Sequence, residues 1–114
     1  MRITGLRFGC LEVDGVAYHR DLIIMPSGIL CPWIRDQGHR LGTQDLETVL
    51  DKPPGLLIIG TGMAGRMRVD RDLIRHLGAQ HINCRVMRTR EAAAAFNTAV
   101  SEGLHCAGAF HITC

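Results

Sequence analysis

An α/β domain is the fold class this sequence predicts, and three observations predict it. The first third of the chain is rich in strand and turn signals. The second half reads β-α-β-α-β, the pattern of helices laid on a sheet. The length, 114 residues, is that of one ordinary domain, and the 46% hydrophobic content supplies one core and not two. The assignment is therefore one domain over residues 1–114. A chain of this size buries roughly two-thirds of its unfolded surface, so it needs no metal or disulfide staple to fold. Its few aromatics are Phe8, Phe96, Phe110, Tyr18 and Trp33, which leaves an aliphatic core.

The elements follow in order. "ITGLRFGCLEV" alternates apolar residues, and Asp14-Gly15 separates it from "GVAYHRDLIIMP", a hairpin signal. Pro26-Ser27-Gly28 turns the chain into "ILCPWI", where Pro32 argues for an edge or irregular strand. Thr43 is a cap candidate for a short helix with Leu46, Val49 and Leu50 on one face, ended by Lys52-Pro53-Pro54-Gly55. Leu56–Ile59 is apolar on both faces, as a central strand is. Asp70 opens a second helix with Leu73, Ile74 and Leu77, closed by Gly78. "HINCRVM" is a strand. Thr89 caps the longest helix, with Glu91 favourable in its first turn and Ala92, Ala93, Phe96 and Val100 as its buried stripe. Gly103 stops it, and "LHCAGAFHITC" is the final strand.

Composition excludes several classes. Five dispersed cysteines without a C-x-x-C pair point to reduced thiols in the cytoplasm and not to a secreted disulfide scaffold. No stretch approaches the ~18 apolar residues of a membrane span, and "MRITGLRFGC" lacks the apolar core of a secretory signal. Residues 66–90 hold seven arginines against two aspartates, a bias that can steer anions. Solvated helix faces explain it more simply. Nucleic-acid binding is disfavoured, because no reader motif is present and few aromatics are free to stack.

"LLIIGTGMAGRMRVD" contains a literal G-x-G-x-x-G at Gly60, Gly62 and Gly65. A dinucleotide fingerprint needs the helix to begin inside the motif, so that its N–H groups and dipole face the pyrophosphate. Here the cap is Asp70, five residues beyond Gly65. The position that should bear a ribose-binding carboxylate falls in the cationic Arg85–Arg90. Dinucleotide binding is rejected and no cofactor is expected. Two uses of the turn stay open: an anion-binding nest helped by Thr61 and Arg66, or a strand exit that needs positive φ.

The runs "PPGLLIIGTGMAG", "VMRTREAAAAFNTAVSEG" and "FHITC", with "FG" near the start, "YHRDLIIMPSGI", Trp33 and His39, together span nearly the whole chain. The sequence resembles a small domain-of-unknown-function family of bacterial and archaeal proteins. That family also includes an adipogenesis-associated human protein and a mitochondrial respiratory complex I assembly factor. The resemblance implies an α+β, three-layer β/β/α single domain: a mixed sheet with helices on one side and an antiparallel β layer on the other. It implies links to complex assembly or regulation, with no established reaction and no settled catalytic residues.

Candidate site residues follow. If the strands are parallel, Thr61, Gly62 and Thr89 follow strands at the carboxyl end of the sheet, where ligands gather. Asn97, at the margin of the apolar stripe, is expected to face the same cleft, with Arg66 nearby. Trp33, Arg35 and His39 form a candidate partner surface, and Asp21 is of interest as one polar group with Arg35, His39, Thr61, Thr89 and Asn97. No catalytic residue is assigned. Cys84, beside Arg85 and near His81, is the least implausible nucleophile, yet a cysteine on an apolar strand is usually inert. No metal site is expected: residues three apart on a strand face opposite ways, so His111 and Cys114 converge only if the tail curls. His105 and Cys106 fail the same test. The expected function is a non-enzymatic protein-binding or assembly-type module with an unidentified protein partner or a second copy of itself. The alternative is a small-molecule or anion-binding protein, an enzyme included, that uses the Gly60–Gly62 turn and Arg66.

Overall fold

The apolar run at residues 56–60 forms the strand from which the rest of the fold can be followed. The computed structural model describes residues 1–114. In chain order its elements are β1 (Ile3–Arg7), β2 (Cys10–Val13), β3 (Val16–Tyr18), β4 (Leu22–Met25), β5 (Gly28–Leu30) and β6 (Arg40–Leu41). A 3₁₀ turn (Thr43–Leu46) then runs into α1 (Glu47–Asp51). β7 (Leu56–Gly60), β8 (Arg68–Val69), α2 (Arg71–Ala79), β9 (Asn83–Met87), α3 (Thr89–Ser101) and β10 (Cys106–Phe110) complete the chain. No helix is long and apolar enough to cross a membrane.

Five strands form the main sheet in the order β5-β4-β10-β7-β9. β10, β7 and β9 are parallel, while β4 runs antiparallel to both β10 and β5. Both faces of β7 are covered, so all five of its residues are buried, as a central strand requires. β1, β2 and β3 make a separate antiparallel sheet. Its β2–β3 turn is Asp14-Gly15 with both φ angles positive (49° and 82°), the geometry that suits a two-residue hairpin. β6 and β8 pair as a short parallel ribbon.

The fold is mixed α+β, with a mixed sheet and three helices, as the sequence indicates. The layers are distributed differently from the expectation of helices on one side and strands on the other. One core joins Leu22, Ile24, Leu56, Ile58 and Phe110 of the main sheet to α3 (Ala92, Ala93, Phe96, Ala99) and to Ile3, Leu11 and Val13 of the small sheet. The opposite core joins Ile23, Leu57, Ile59, Ala107 and Ala109 to Val49 of α1 and to Leu73 and Leu77 of α2, with Trp33 and Leu41. Topology gives the reason. α2 carries the chain outward from β7 to β9, and α3 carries it back past β7 to β10. Parallel crossovers share one hand, so opposite steps place the two helices on opposite faces. Each Leu or Ile buried in these cores contributes about 1.5–3 kcal/mol.

Three local expectations change as well. The N-cap of α3 is Arg88, and Thr89 is its first helical residue, because the Thr89 hydroxyl is drawn inward to other partners. α2 continues through Gly78 to Ala79, and the left-handed residue beyond it is His81 (φ 59°). The last strand stops at Phe110, and residues 111–114 leave the sheet.

Candidate functional site

The three parallel strands end in register: Phe110 lies beside Gly60, and Gly60 beside Met87. The residues just past them are therefore gathered at one end of the sheet, outside the strand carboxyl ends. There Thr61, Gly62, Thr89 and His111 form a connected set. The buried Thr89 hydroxyl accepts from the Gly62 N–H (2.9 Å) and donates to the His111 carbonyl (2.5 Å). The Thr61 hydroxyl and N–H both donate to the Met87 carbonyl (3.2 and 2.9 Å). Three of the four remaining amides of the glycine turn are also spent within the chain, that of Ala64 being the exception. Met63 N–H reaches the Thr113 carbonyl, Gly65 N–H the Gly62 carbonyl, and Arg66 N–H the Cys114 carbonyl. Gly62 itself has φ +112°, and a Cβ there would lie 2.5 Å from the Cys114 backbone and 2.8 Å from His111 Cδ2. The turn needs its glycine to let the tail dock.

A charged cluster lies beside this turn. β4 and β10 pair with Leu22 opposite Phe110, so one step further out Asp21 meets His111. Asp21 Oδ2 is 2.8 Å from His111 Nδ1 and 2.7 Å from Arg35 Nη2, and Oδ1 accepts from the Ile112 N–H (2.8 Å). Burial alone would push the Asp21 carboxyl upward. The hydrogen bonds from His111, the Ile112 amide and Arg35 outweigh it together and hold the group below the usual carboxylate range. The Arg35 side chain is only 4% exposed. It donates to the Gly38 carbonyl through Nε and Nη2 and stacks 4.7 Å over the Trp33 ring. The Asp21 carboxylate can only accept, so His111 Nδ1 is the donor in that contact. Nε2 is buried without a partner, as is Arg35 Nη1.

His39 and Cys114 close the cluster. His39 Nε2 lies 3.2 Å from Cys114 Sγ, and the His39 ring stands edge-on to His111 with centroids 5.6 Å apart. The tail does curl after β10, and His111 and Cys114 are thereby brought to the same place, which an extended strand would forbid.

The chain is matched over residues 3–111 by the family model described as a protein of unknown function, DUF498/DUF598. The chain belongs to this family. The DUF498/DUF598 domain here is similar to the solved structure called MT938, at 26% identity and TM-score 0.82, covering 99% of this chain and 98% of that one. It shares its fold with a structure described as an outer membrane protein from Bartonella henselae (24% identity, TM-score 0.83, 97% and 93% covered). It also shares it with a Bordetella pertussis protein described as a Mth938-like domain (22%, TM-score 0.72, 97% and 85% covered).

Other sequence-stated candidates fall elsewhere in this DUF498/DUF598 domain. Asn97 faces away from the cleft: its side chain accepts from Ile3 N–H and donates to Ile3 O, both at 2.8 Å, and so ties β1 to α3. Arg66 is exposed and contributes its backbone amide to the cluster. Trp33 and the Arg35 side chain do not form a surface with His39. Trp33 is buried with its Nε1 donating to the Asp45 carbonyl (2.8 Å), and only His39 of the three is open to solvent. Burial pushes the Cys84 thiol up to about 11, which disfavours the nucleophilic thiolate. The Asp21–His111 pairing is the part the sequence left unread. Its signal is positional: Asp21 immediately precedes "LIIM" and His111 immediately follows "CAGAF", so the two meet if those strands pair antiparallel.

Proposed function

We propose that this chain is a non-enzymatic protein-binding module of assembly type, and that its partner docks where the parallel strands end. The observation that carries this is the pair of large apolar side chains left in solvent there. Phe8, 65% exposed, sits on the β1–β2 turn, whose Gly9 N–H donates to the Ile112 carbonyl (2.8 Å). Ile34, 74% exposed, borders a cleft of about 340 Å³ that is also lined by Asp21, Arg35, Ile112 and Thr113. A single exposed apolar residue is ordinary. Two of them bracketing ordered polar groups have the composition of a contact surface. A protein of another kind is the occupant favoured, with a second copy of this chain next.

The alternative of a small-molecule or anion site on the Gly60–Gly62 turn and Arg66 has less support. An anion nest needs free, converging N–H groups, and the amides of Thr61, Gly62, Met63, Gly65 and Arg66 already donate within the chain.

Affinity capture from the source cells, with Phe8→Asp, Ile34→Asp and Leu104→Asp beside the unaltered chain, tests the proposal. Leu104 is exposed at the opposite end of β10. A protein retained by the unaltered chain and by Leu104→Asp, and lost by the other two, supports it. Identical capture by all four sinks it. Sedimentation of the purified chain reports self-association. A melting-temperature panel of phosphate, sulfate, NAD, NADP, ATP and coenzyme A, run with Arg66→Ala, reports the anion alternative.

A further inference from the structure

We propose that His39, His111 and Cys114 form a binding site for a divalent metal ion of zinc type, with Asp21 orienting His111 from behind. One nitrogen of each imidazole and the Cys114 sulfur all lie within 4.8 Å of one another. Tetrahedral zinc, with Zn–N of about 2.0–2.1 Å and Zn–S of about 2.3 Å, sets its ligand atoms about 3.3–3.6 Å apart. The His39–Cys114 pair, at 3.2 Å, is already near that spacing. The wider separations, at most 4.8 Å, close by up to about 1.5 Å on binding.

A second observation, independent of this clustering, points to a ligand. His111 is 5% exposed, and its Nε2 is buried with no hydrogen-bond partner, an arrangement that is unfavourable unless something binds it. Its other nitrogen is held by the Asp21 carboxylate at 2.8 Å. Metal-binding histidines show this same division, with one nitrogen on the ion and the other N–H on a carboxylate that fixes tautomer and ring orientation. His111 Cδ2, the ring atom next to Nε2, lies beside Gly62, where an added Cβ would also meet the Cys114 backbone.

The main chain holds the ligands in place before any ion arrives. The His39 carbonyl accepts from Arg68 N–H (2.8 Å), the Cys114 carbonyl from Arg66 N–H (3.0 Å), and the Thr113 carbonyl from Met63 N–H (2.7 Å). Two imidazoles and a thiol select zinc and other borderline or soft ions over magnesium or calcium, which take oxygen ligands. Binding forms an Sγ–metal bond, breaks the Cys114 S–H bond, and releases that proton to solvent. Three protein ligands leave a fourth tetrahedral position for water or for a group from a partner.

The test is titration of the full chain, carrying no C-terminal tag, with Zn²⁺ against a chromophoric chelator, and with Co²⁺ as a spectroscopic probe. The expected result is one ion per chain, the visible bands of tetrahedral cobalt, and a thiolate-to-cobalt charge-transfer band. Cys114→Ser removes that charge-transfer band. His39→Ala, at an exposed position that does not threaten folding, weakens Zn²⁺ binding about tenfold or more. Asp21→Asn keeps the spectrum and weakens binding by about 10–100-fold, while Cys84→Ser changes nothing. A histidine–cysteine hydrogen bond with no metal function predicts no saturable uptake of either ion. That result, or binding undiminished in both His39→Ala and Cys114→Ser, overturns the proposal.

Discussion

Replacing Gly62 by alanine isolates how much the docked tail depends on one missing side chain. Two costs add at this position. The φ of +112° is strained for any residue with a Cβ, at about 1–2 kcal/mol. The new methyl would also meet the Cys114 backbone carbon at 2.5 Å and its oxygen at 2.7 Å, and backbone atoms cannot swing aside. Overpacking of this kind costs about 1–3 kcal/mol, so the total is about 2–5 kcal/mol. With an unfolding entropy of about 2.1 cal/mol/K per residue, 1 kcal/mol corresponds to about 4 °C in a chain this long. Gly62→Ala should therefore melt about 8–20 °C lower. Gly103→Ala is the control, because its φ is also positive (+76°) but nothing lies within 4 Å of the added atom. It should lose about 4–8 °C from strain alone. Differential scanning calorimetry of both variants, with hydrogen exchange at Met63 and Arg66, separates the two costs. If Gly62→Ala melts within about 2 °C of Gly103→Ala and those amides stay protected, the tail does not press on Gly62.

Further predictions concern single bonds and thiols. Thr89→Val keeps the shape but leaves the Gly62 N–H and the His111 carbonyl unpaired, at about 2–5 kcal/mol in urea unfolding, whereas Thr89→Ser should retain most of the stability. Asn97→Ala removes both hydrogen bonds to Ile3, for about 1–3 kcal/mol, and should accelerate hydrogen exchange at Ile3 before other strands respond. Burial raises the Cys84 pKa to about 11. Its neutral thiol is therefore favoured in the fold, and that contribution to stability is full below the unfolded pKa and lost as pH rises toward 11. Alkylation of Cys84 at pH 8, followed by peptide mass spectrometry, should run at least about tenfold slower in the native chain than in urea, since the thiolate is the reactive form. Equal rates would contradict the burial.

Elements made by neighbouring residues were legible in the sequence. The Asp14-Gly15 hairpin, the β7 run and the apolar stripe of α3 are local patterns, and short-range stereochemistry decides them. Which face each helix covers was not legible, because it depends on strand order, and β10 inserts between β4 and β7 with no local mark of doing so. The candidate site shows the same division. Thr61, Gly62 and Thr89 announce themselves by following strands. Asp21 and His111 are 90 residues apart, and Arg35 and His111 are 76 apart, so no periodicity links them. Trp33 illustrates the limit for single residues. Its burial follows from one distant carbonyl, that of Asp45, which satisfies the indole N–H.

β10 also governs the order in which the sheet can form. Residues 106–110 fill the gap between β4 and β7, so every earlier strand of the main sheet exists during synthesis before its central partner does. Until then β4 and β7 each present an open edge, and the contacts that close them join residues some fifty to ninety positions apart. High contact order of this kind slows folding, and open strand edges invite pairing with other chains. A nascent chain halted before Cys106 is thus the form of this protein most in need of a chaperone.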